Sequence, residues 1–342
     1  MTADVPTLEL RDLRTRFHTR DGVLPVVDGV SFTLARGKVL GLVGESGSGK
    51  SVTGFSIMGL VDPPGRVEGG QVLFQGRDLL QMSNAQRRAL RGDRIAMIFQ
   101  DPMATLNPVY RVGDQIAEAI RTHENTSKAA ARRRVIELLK QVGIPNPERR
   151  VDDFPHQFSG GMRQRAMIAM ALANDPDILI ADEPTTALDV TIQAQILDLM
   201  QRLRRDHGSS IVLITHDMGV VSGIADDVLV MYGGRAAETG SRAAVFHTPS
   251  HPYTWGLLSS VPRTDRPRTR RLSAIPGQPL SPLDVPPGCR FAPRCRFAHD
   301  ACAVQPPLEE RALRHVDACW LPVADRPELR RQSDAAAEQA RA

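Results

Sequence analysis

The feature that most constrains this chain is a glycine-rich run that follows a short apolar segment, Val39–Val43. The run fits the pattern G-x-x-x-x-G-K-[ST] at every fixed position. Its residues are Gly44, Glu45, Ser46, Gly47, Ser48, Gly49, Lys50 and Ser51. The glycines let backbone N–H groups turn inward around phosphate oxygens, Lys50 can reach the β- and γ-phosphates, and the Ser51 hydroxyl can bind Mg²⁺. Because an apolar helical pattern, Val52–Leu60, follows, we interpret the run as a P-loop rather than a flexible glycine turn.

A second apolar segment, Ile178–Ala181, ends in two acidic residues. Asp182 stands at the strand end, where P-loop enzymes hold Mg²⁺, usually through water. Glu183 stands one residue further out, where a carboxylate can polarise an attacking water molecule. An acidic strand end can also be merely solvated, but the P-loop upstream favours the catalytic interpretation.

Several short apolar segments indicate a mostly parallel sheet. They are Ile95–Phe99, Ile178–Ala181, Ile211–Thr215 and Val228–Tyr232. Short buried strands separated by helical patterns are typical of parallel sheets covered by helices. The apolar spacing predicts one helix within Ser127–Val142, which Gly143 ends, and another over 190–205, which Asp189 can cap.

Composition excludes several classes of protein. The chain has 342 residues and a formal net charge of only +4, which by itself predicts no nucleic-acid partner, because such binding needs a concentrated basic patch. The longest apolar runs, such as Ala166–Ala173, fall far short of the ~20 residues that cross a bilayer. Residues Met1–Leu10 lack the basic start and apolar core of a signal peptide. We therefore expect a cytoplasmic protein that meets a membrane only through partners.

The segment Phe158-Ser159-Gly160-Gly161-Met162 resembles the signature motif of ATP-binding-cassette ATPases, which is Leu-Ser-Gly-Gly-Gln in its commonest form. It departs from that form at its first and fifth places. Ser159 is a good N-cap, so its hydroxyl, the Gly160 and Gly161 amides and the dipole of the following helix together form an anion site suited to a γ-phosphate.

Other motifs of the same family occur around this segment in the family's order. Gln100 resembles the Q-loop glutamine, Ala187-Leu188-Asp189 the D-loop and His216 the switch histidine. The resemblance implies that Gln100 senses Mg²⁺ and the attacking water, that His216 contacts the γ-phosphate, and that Asp189 belongs to the nucleotide-binding set. Phe17 is the candidate for an aromatic ring that stacks on adenine, with an ordinary core phenylalanine as the alternative.

The family resemblance also implies an α/β fold with a RecA-like P-loop ATPase core, an antiparallel β subdomain and an inserted helical subdomain at about 111–174. ATP is then sandwiched between two subunits, and Ser159, Gly160 and Gly161 face the nucleotide of the partner. We expect the nucleotide-binding domain to span residues 1–250, a small C-terminal extension to span 251–322, and residues 323–342 to form a disordered tail.

Two segments near the C-terminus indicate which subfamily of the ATP-binding-cassette ATPases the chain resembles. His251-Pro252-Tyr253-Thr254 and residues 286–295 resemble the C-terminal extension of oligopeptide and dipeptide importer ATPases. The resemblance implies an ATP-hydrolysing subunit of a bacterial importer, paired with a second, paralogous ATPase beneath two permease subunits, with a substrate-binding protein outside the cell. The chain then lies at the cytoplasmic face of the membrane. A soluble cassette ATPase of DNA repair or translation is the alternative, but the chain shows no sustained heptads and only one P-loop.

The chain has four cysteines, all near its C-terminus: Cys289, Cys295, Cys302 and Cys319. In a cytoplasmic protein this grouping favours a metal centre over disulfides. The wide spacings lack the close C-x₂₋₄-C pair common in zinc sites, and the importer extension is associated with a cluster, so we predict a [4Fe–4S] cluster. Zinc and free or disulfide-paired thiols are the alternatives. Arg290, Arg294 and Arg296 would offset the thiolate charge.

Overall fold

The computed structural model describes residues 5–101, 105–185, 189–261 and 275–339. The chain divides into two compact units. The signature unit, named for the segment around Ser159, comprises Met1–Leu8, Leu34–Val39 and Leu73–Ile214. The P-loop unit comprises Glu9–Thr33, Leu40–Val72 and Thr215–Ala342, so it contains both the P-loop and the C-terminal extension.

The strands, in chain order, are β1 (Leu8–Thr19), β2 (Gly22–Leu34), β3 (Val39–Val43), β4 (Gly65–Phe74), β5 (Arg77–Asp78), β6 (Ile95–Ile98), β7 (Ile178–Asp182), β8 (Ser210–Thr215), β9 (Asp227–Tyr232), β10 (Arg235–Ser241), β11 (Glu309–Ala312) and β12 (His315–Asp317). The α-helices are α1 (Lys50–Met58), α2 (Asn84–Leu90), α3 (Val112–His123), α4 (Lys128–Gln141), α5 (Pro147–Arg150), α6 (Gly160–Ala171), α7 (Val190–His207), α8 (Met218–Ile224), α9 (Arg242–His247), α10 (Pro252–Ser260) and α11 (Arg326–Gln339). Within the described ranges, no helix combines the length and the hydropathy needed to span a bilayer.

The strands of the P-loop unit form two groups. In one, β1 lies between β2 and β4. In the other, the order is β11-β12-β10-β9-β3, with β3 and β9 parallel and the remaining pairs antiparallel. Because β11 and β12 lie within the last 35 or so residues, the C-terminal part of the chain adds two strands to the sheet that carries the P-loop.

The signature unit is built on three parallel strands and the helices around them. β7 lies between β6 and β8 and pairs in parallel with both. The side chains of Ile178–Ala181 are fully buried. Helix α4 buries Val135, Leu138 and Leu139, which lie on its predicted apolar face, and it packs against α3 and α6. The prediction of parallel strands covered by helices is confirmed in this unit.

Helix α7 begins where the sequence predicts and ends two residues after the predicted end. The Asp189 carboxylate accepts a hydrogen bond from the Ile192 N–H at 2.9 Å, which satisfies one of the first amides of the helix. Gly208 follows the last turn with a φ of 69°, a left-handed conformation that glycine adopts without strain.

The predicted disordered tail contains a helix, α11, and this prediction needs correction. Arg326 at its first position is buried, and its guanidinium donates to the Asp317 carboxylate at 2.7 Å and to the carbonyl of Leu321. Leu329, one turn later, packs against a buried cluster that includes Trp255. A polar, alanine-rich segment therefore stays helical because its first turn is bound to the extension.

Candidate nucleotide site

The P-loop joins β3 to α1 in the P-loop unit. All five residues of β3 are buried, so the loop starts from a fixed strand end. Gly49, the N-cap of α1, has a φ of 97°, and a Cβ at this position would overlap the carbonyl oxygen of Val26. Only glycine satisfies both conditions, which is why the loop can bring its backbone amides close to a ligand.

Lys50 is buried within this loop. Its ammonium group donates to the carbonyl oxygens of Gly44 at 2.7 Å and Glu45 at 2.8 Å. Helix α1 begins at Lys50 without a side-chain cap, and Ser51 is the next residue of its first turn. The loop therefore holds a cation and a helix N-terminus together, which is the electrostatic arrangement that binds phosphate.

Two other predicted site residues belong to the P-loop unit. His216 follows the last residue of β8 and is exposed, and the adjacent Asp217 caps α8 by accepting from the Gly219 N–H at 2.7 Å. Phe17 lies on β1, partly exposed, with its ring so close to Gly65 that a Cβ there would lie 2.6 Å from Cε1.

The predicted acidic pair lies at the end of β7 in the signature unit. Asp182 is buried, whereas Glu183 is partly exposed and has a φ of 47°, a conformation rare for residues other than glycine. The Glu183 N–H donates to the carbonyl of Ile214 at 2.9 Å. Backbone strain of this kind clusters at functional sites, which supports a catalytic role for Glu183.

Gln100 lies beside this glutamate. Its side-chain amide is 3.4 Å from Oε2 of Glu183, so the structure brings these two predicted residues together. Gln100 follows the end of β6, and parallel pairing of β6 with β7 places the carboxyl ends of both strands at one edge.

Ser159 caps α6 as the sequence predicts. Its hydroxyl accepts from the Met162 N–H at 3.3 Å, and both Ser159 and Gly160 are exposed. Phe158, which stands where the commonest motif has leucine, is buried and thus keeps the apolar role of that place. Asp189 is exposed at the N-cap of α7, while Ala187 and Leu188 of the predicted D-loop lie outside the described residues.

Sequence reasoning missed a link between the signature helix and the acidic loop. Gln164 on α6 is buried and its side-chain amide donates to the carbonyl of Pro184 at 2.7 Å, directly after Glu183. The signal was a polar residue on an otherwise apolar helix face. This bond fixes the signature helix relative to the backbone that follows Glu183.

The prediction of a metal cluster at the cysteines is wrong, and so is its zinc alternative. Among the residues that the structure describes, no group of three or more His, Cys, Asp or Glu side chains is placed to hold a metal ion. All four cysteines are free thiols. Cys319 packs instead with Trp255 and Leu321 in an apolar cluster. Burial raises the pKa of Cys295 to about 11 and of Cys319 to about 12, so both side chains are neutral thiols at neutral pH in this structure.

The three arginines expected to offset thiolate charge have other partners. Arg290 pairs with Asp28 on β2, and Arg294 pairs with Glu45 of the P-loop. The Arg296 guanidinium lies over the ring of Phe297, 5.7 Å from its centroid. Buried guanidinium ions need charged partners, and the Asp28 and Glu45 carboxylates supply them.

The fold and these sites define a P-loop ATPase of the cassette type, and comparison with known proteins agrees. The ABC transporter family model matches residues 27–186, and the model described as oligopeptide/dipeptide transporter, C-terminal region, matches residues 237–302. A dimeric bacterial ABC transporter cassette of known structure superposes with a TM-score of 0.63 at 25% identity, covering 69% of this chain and 98% of that chain. A post-hydrolysis dimer of an ATP-binding cassette bound to ADP and Pi gives the same values.

Curated relatives extend the similarity over nearly the whole chain. The oligopeptide transport ATP-binding protein OppD of Bacillus subtilis is 51% identical over 324 residues, which cover 94% of this chain and 90% of the relative. The dipeptide transport ATP-binding protein DppD of the same organism is 52% identical, covering 92% and 94%. OppD of Escherichia coli is 49% identical, covering 93% and 94%. The chain therefore belongs to the ATP-binding-cassette ATPases, in the group that carries the oligopeptide/dipeptide transporter C-terminal region.

Proposed function

We propose that this chain hydrolyses ATP to drive a bacterial importer of dipeptides or oligopeptides. One observation supports this proposal most strongly. About half of the residues are identical to those of oligopeptide and dipeptide transport ATP-binding proteins, and this similarity covers both the cassette and the C-terminal extension. A soluble cassette ATPase would need only the first of these regions.

In the P-loop unit, the proposed task is to hold the phosphates. The Lys50 ammonium now shared by two loop carbonyls would turn to the β- and γ-phosphates, whose charge attracts it more strongly than neutral carbonyls do. Ser51, in the first turn of α1, would be a Mg²⁺ ligand through its hydroxyl. His216, exposed beyond β8, would donate to the γ-phosphate, and Phe17 remains our candidate for the adenine contact.

In the signature unit, the proposed task is to activate water. Glu183 would accept a proton from the attacking water, while the neighbouring Gln100 amide would orient that water and the carboxylate. The buried Asp182 carboxylate fits the oxygen ligands that Mg²⁺ prefers, and we propose that it holds the ion through water. When bound, Mg²⁺ would neutralise part of the phosphate charge.

The signature residues are proposed to act on a second subunit. Ser159, Gly160 and Gly161 would donate to the γ-phosphate bound by the partner ATPase, and Asp189 would lie at the same interface. The exposure of Ser159 and Gly160 at the start of a twelve-residue helix supports this role. A single chain would then provide only half of each site.

For the complete assembly, we propose a second ATPase subunit, two membrane permeases and an extracytoplasmic binding protein, with this chain at the cytoplasmic face. We also propose that residues 1–250 form the nucleotide-binding domain and 251–322 the extension. The test is the ATPase rate of the purified complex in nanodiscs with binding protein and candidate solutes. Di- and oligopeptides should stimulate hydrolysis several-fold, whereas stimulation by glutathione or nickel alone would contradict the assignment of substrate.

A further inference from the structure

Glu45, the second residue of the P-loop, forms an ion pair with the C-terminal extension. Arg294 donates from Nη1 to Oε2 at 2.5 Å and from Nη2 to Oε1 at 3.0 Å, a two-point contact between planar groups. The Arg294 side chain is only 5% exposed, so this ion pair is shielded from solvent screening on the arginine side. Both residues lie in the P-loop unit although they are 249 positions apart in the sequence.

Three other groups of the P-loop unit hold the Arg294 guanidinium in place. Its Nε donates to the Pro276 carbonyl at 2.8 Å, Nη2 also donates to Ile275, and the Tyr232 ring centroid lies 5.8 Å from its Cζ. Burial alone would lower the pKa of Arg294, but its hydrogen bonds with Glu45 and Tyr232 raise that pKa above its ordinary value. The guanidinium is therefore a permanent positive charge with a fixed orientation.

The backbone of Glu45 is fixed as well. Its N–H donates to the hydroxyl of Tyr253 at 2.7 Å, and its carbonyl accepts from Lys50 at 2.8 Å. Tyr253 is fully buried on α10, with the Phe291 ring centroid 5.3 Å from its own. Two of the three groups that hold Glu45 thus come from the extension.

This arrangement matters because a carboxylate in a phosphate-binding loop repels the ligand. The P-loop pattern leaves the second position free, so nothing in phosphate binding itself calls for a glutamate. An unpaired Glu45 carboxylate would oppose the polyphosphate by like-charge repulsion, whereas the paired carboxylate is neutralised and points to the extension.

We propose that Arg294 is a positioning residue for nucleotide binding, which neutralises Glu45 and fixes the start of the P-loop from the C-terminal extension. The inference rests on the proposed nucleotide site at this loop. The extension is thereby a part of the ATP site's support, so a change in the extension alters nucleotide affinity directly.

The test is a double-mutant cycle on the full chain, with the dissociation constant of MgATP measured by titration calorimetry. Arg294→Met should weaken binding at least about tenfold, and adding Glu45→Gln should restore most of that loss because the repelling charge is gone. Raising the salt concentration should shrink the Arg294→Met effect, since screening weakens repulsion. Arg294→Lys keeps the charge but loses the two-point contact, so its affinity should lie between those of the wild type and Arg294→Met.

Arg296→Met is the matched control. Arg296 lies in the same segment but is exposed and contacts only the Phe297 ring in the described structure. The Arg296→Met variant should therefore bind MgATP as the wild type does. Both tryptophans of the chain lie in the extension and Trp255 is buried, so tryptophan fluorescence reports whether each variant retains its fold. If Arg294→Met loses that fold, Arg294→Gln takes its place in the cycle.

Wild-type affinity for MgATP in Arg294→Met would overturn the proposal. Equally weak binding by Arg294→Met and by the double variant Arg294→Met/Glu45→Gln would also overturn it, because removing the Glu45 charge cannot restore binding if Arg294 has only a structural role. Lys50→Ala is measured in parallel. If Lys50→Ala also binds MgATP normally, the P-loop is not the nucleotide site, and the proposed function itself fails.

Discussion

The side-chain amide of Gln100 lies 3.4 Å from a carboxylate oxygen of Glu183, at the carboxyl ends of two adjacent parallel strands. The backbone of Glu183 adopts a left-handed conformation and donates to Ile214. An amide beside a strained glutamate is an arrangement suited to holding one water molecule in line for attack.

Glu183→Gln should retain MgATP binding but lose turnover by about 10²–10⁴-fold, because the variant removes the base and leaves the P-loop contacts intact. The measurement is phosphate release by the assembled complex, together with ATP affinity. Glu137→Gln is the matched control, since Glu137 is an exposed glutamate on α4 of the same unit. Retention of more than about a tenth of wild-type turnover by Glu183→Gln would show that another group is the base.

Gln100→Glu should make hydrolysis more sensitive to acid. A second carboxylate beside Glu183 disfavours ionisation of the base, so the acid limb of the pH–rate profile should move to higher pH, with turnover at neutral pH reduced about tenfold. Gln100→Ala removes the amide without adding charge and should lower turnover with no such displacement. Identical pH profiles for the two variants would refute a direct interaction between position 100 and the base.

Ser159→Arg should abolish the productive pairing of ATPase subunits, because it places a bulky side chain at the proposed phosphate contact. Turnover of the complex should then fall at least about tenfold while MgATP affinity of the isolated chain is unchanged. Ser127→Arg provides the control: Ser127 is an exposed N-cap of α4, so its loss costs the same ~1 kcal/mol of capping without touching the signature. Equal damage from both variants would assign Ser159 a capping role only.

Acid should destabilise the P-loop unit through His251. Burial lowers the pKa of His251 from 6.5 to about 4, and its Nδ1 accepts the Tyr253 N–H, which requires the neutral ring. Between pH 6.5 and pH 4, the His251 side chain is protonated in the unfolded chain but neutral in the folded chain. The free energy of unfolding therefore decreases as the pH falls through this window. The loss between pH 7 and pH 5 should be about 2 kcal/mol.

Urea unfolding followed by tryptophan fluorescence measures this effect. His251→Asn keeps a side-chain acceptor at the N-cap of α10 but cannot be protonated, so its stability should change less over the same pH range. Parallel pH dependences in the two proteins would mean that other groups cause the acid sensitivity.

Local chemistry explains why much of the fold could be predicted. The strand before the P-loop, the caps of α6 and α7 and the pairing partners of β7 all depend on neighbours in sequence or on regular apolar spacing. Ser159 and Asp189 cap helices because their own side chains reach the first turn. Such features need no knowledge of distant residues.

What could not be predicted depends on contacts distant in sequence. The Arg294–Glu45 pair joins residues 249 positions apart, and no spacing rule connects them. Cysteine spacing likewise says nothing of whether a sulfur packs against Trp255, as that of Cys319 does. The helix in the expected tail depends on a buried guanidinium pairing with Asp317, which the alanine-rich sequence itself does not reveal.

We propose that ATP hydrolysis at this chain powers peptide uptake. This proposal is tested most directly by the uptake of a labelled tripeptide into proteoliposomes that contain the complete complex, with binding protein outside and MgATP inside. We expect ATP-dependent accumulation with the wild-type chain and a loss of both accumulation and phosphate release with Glu183→Gln. Peptide accumulation at the wild-type rate by the Glu183→Gln complex would contradict it.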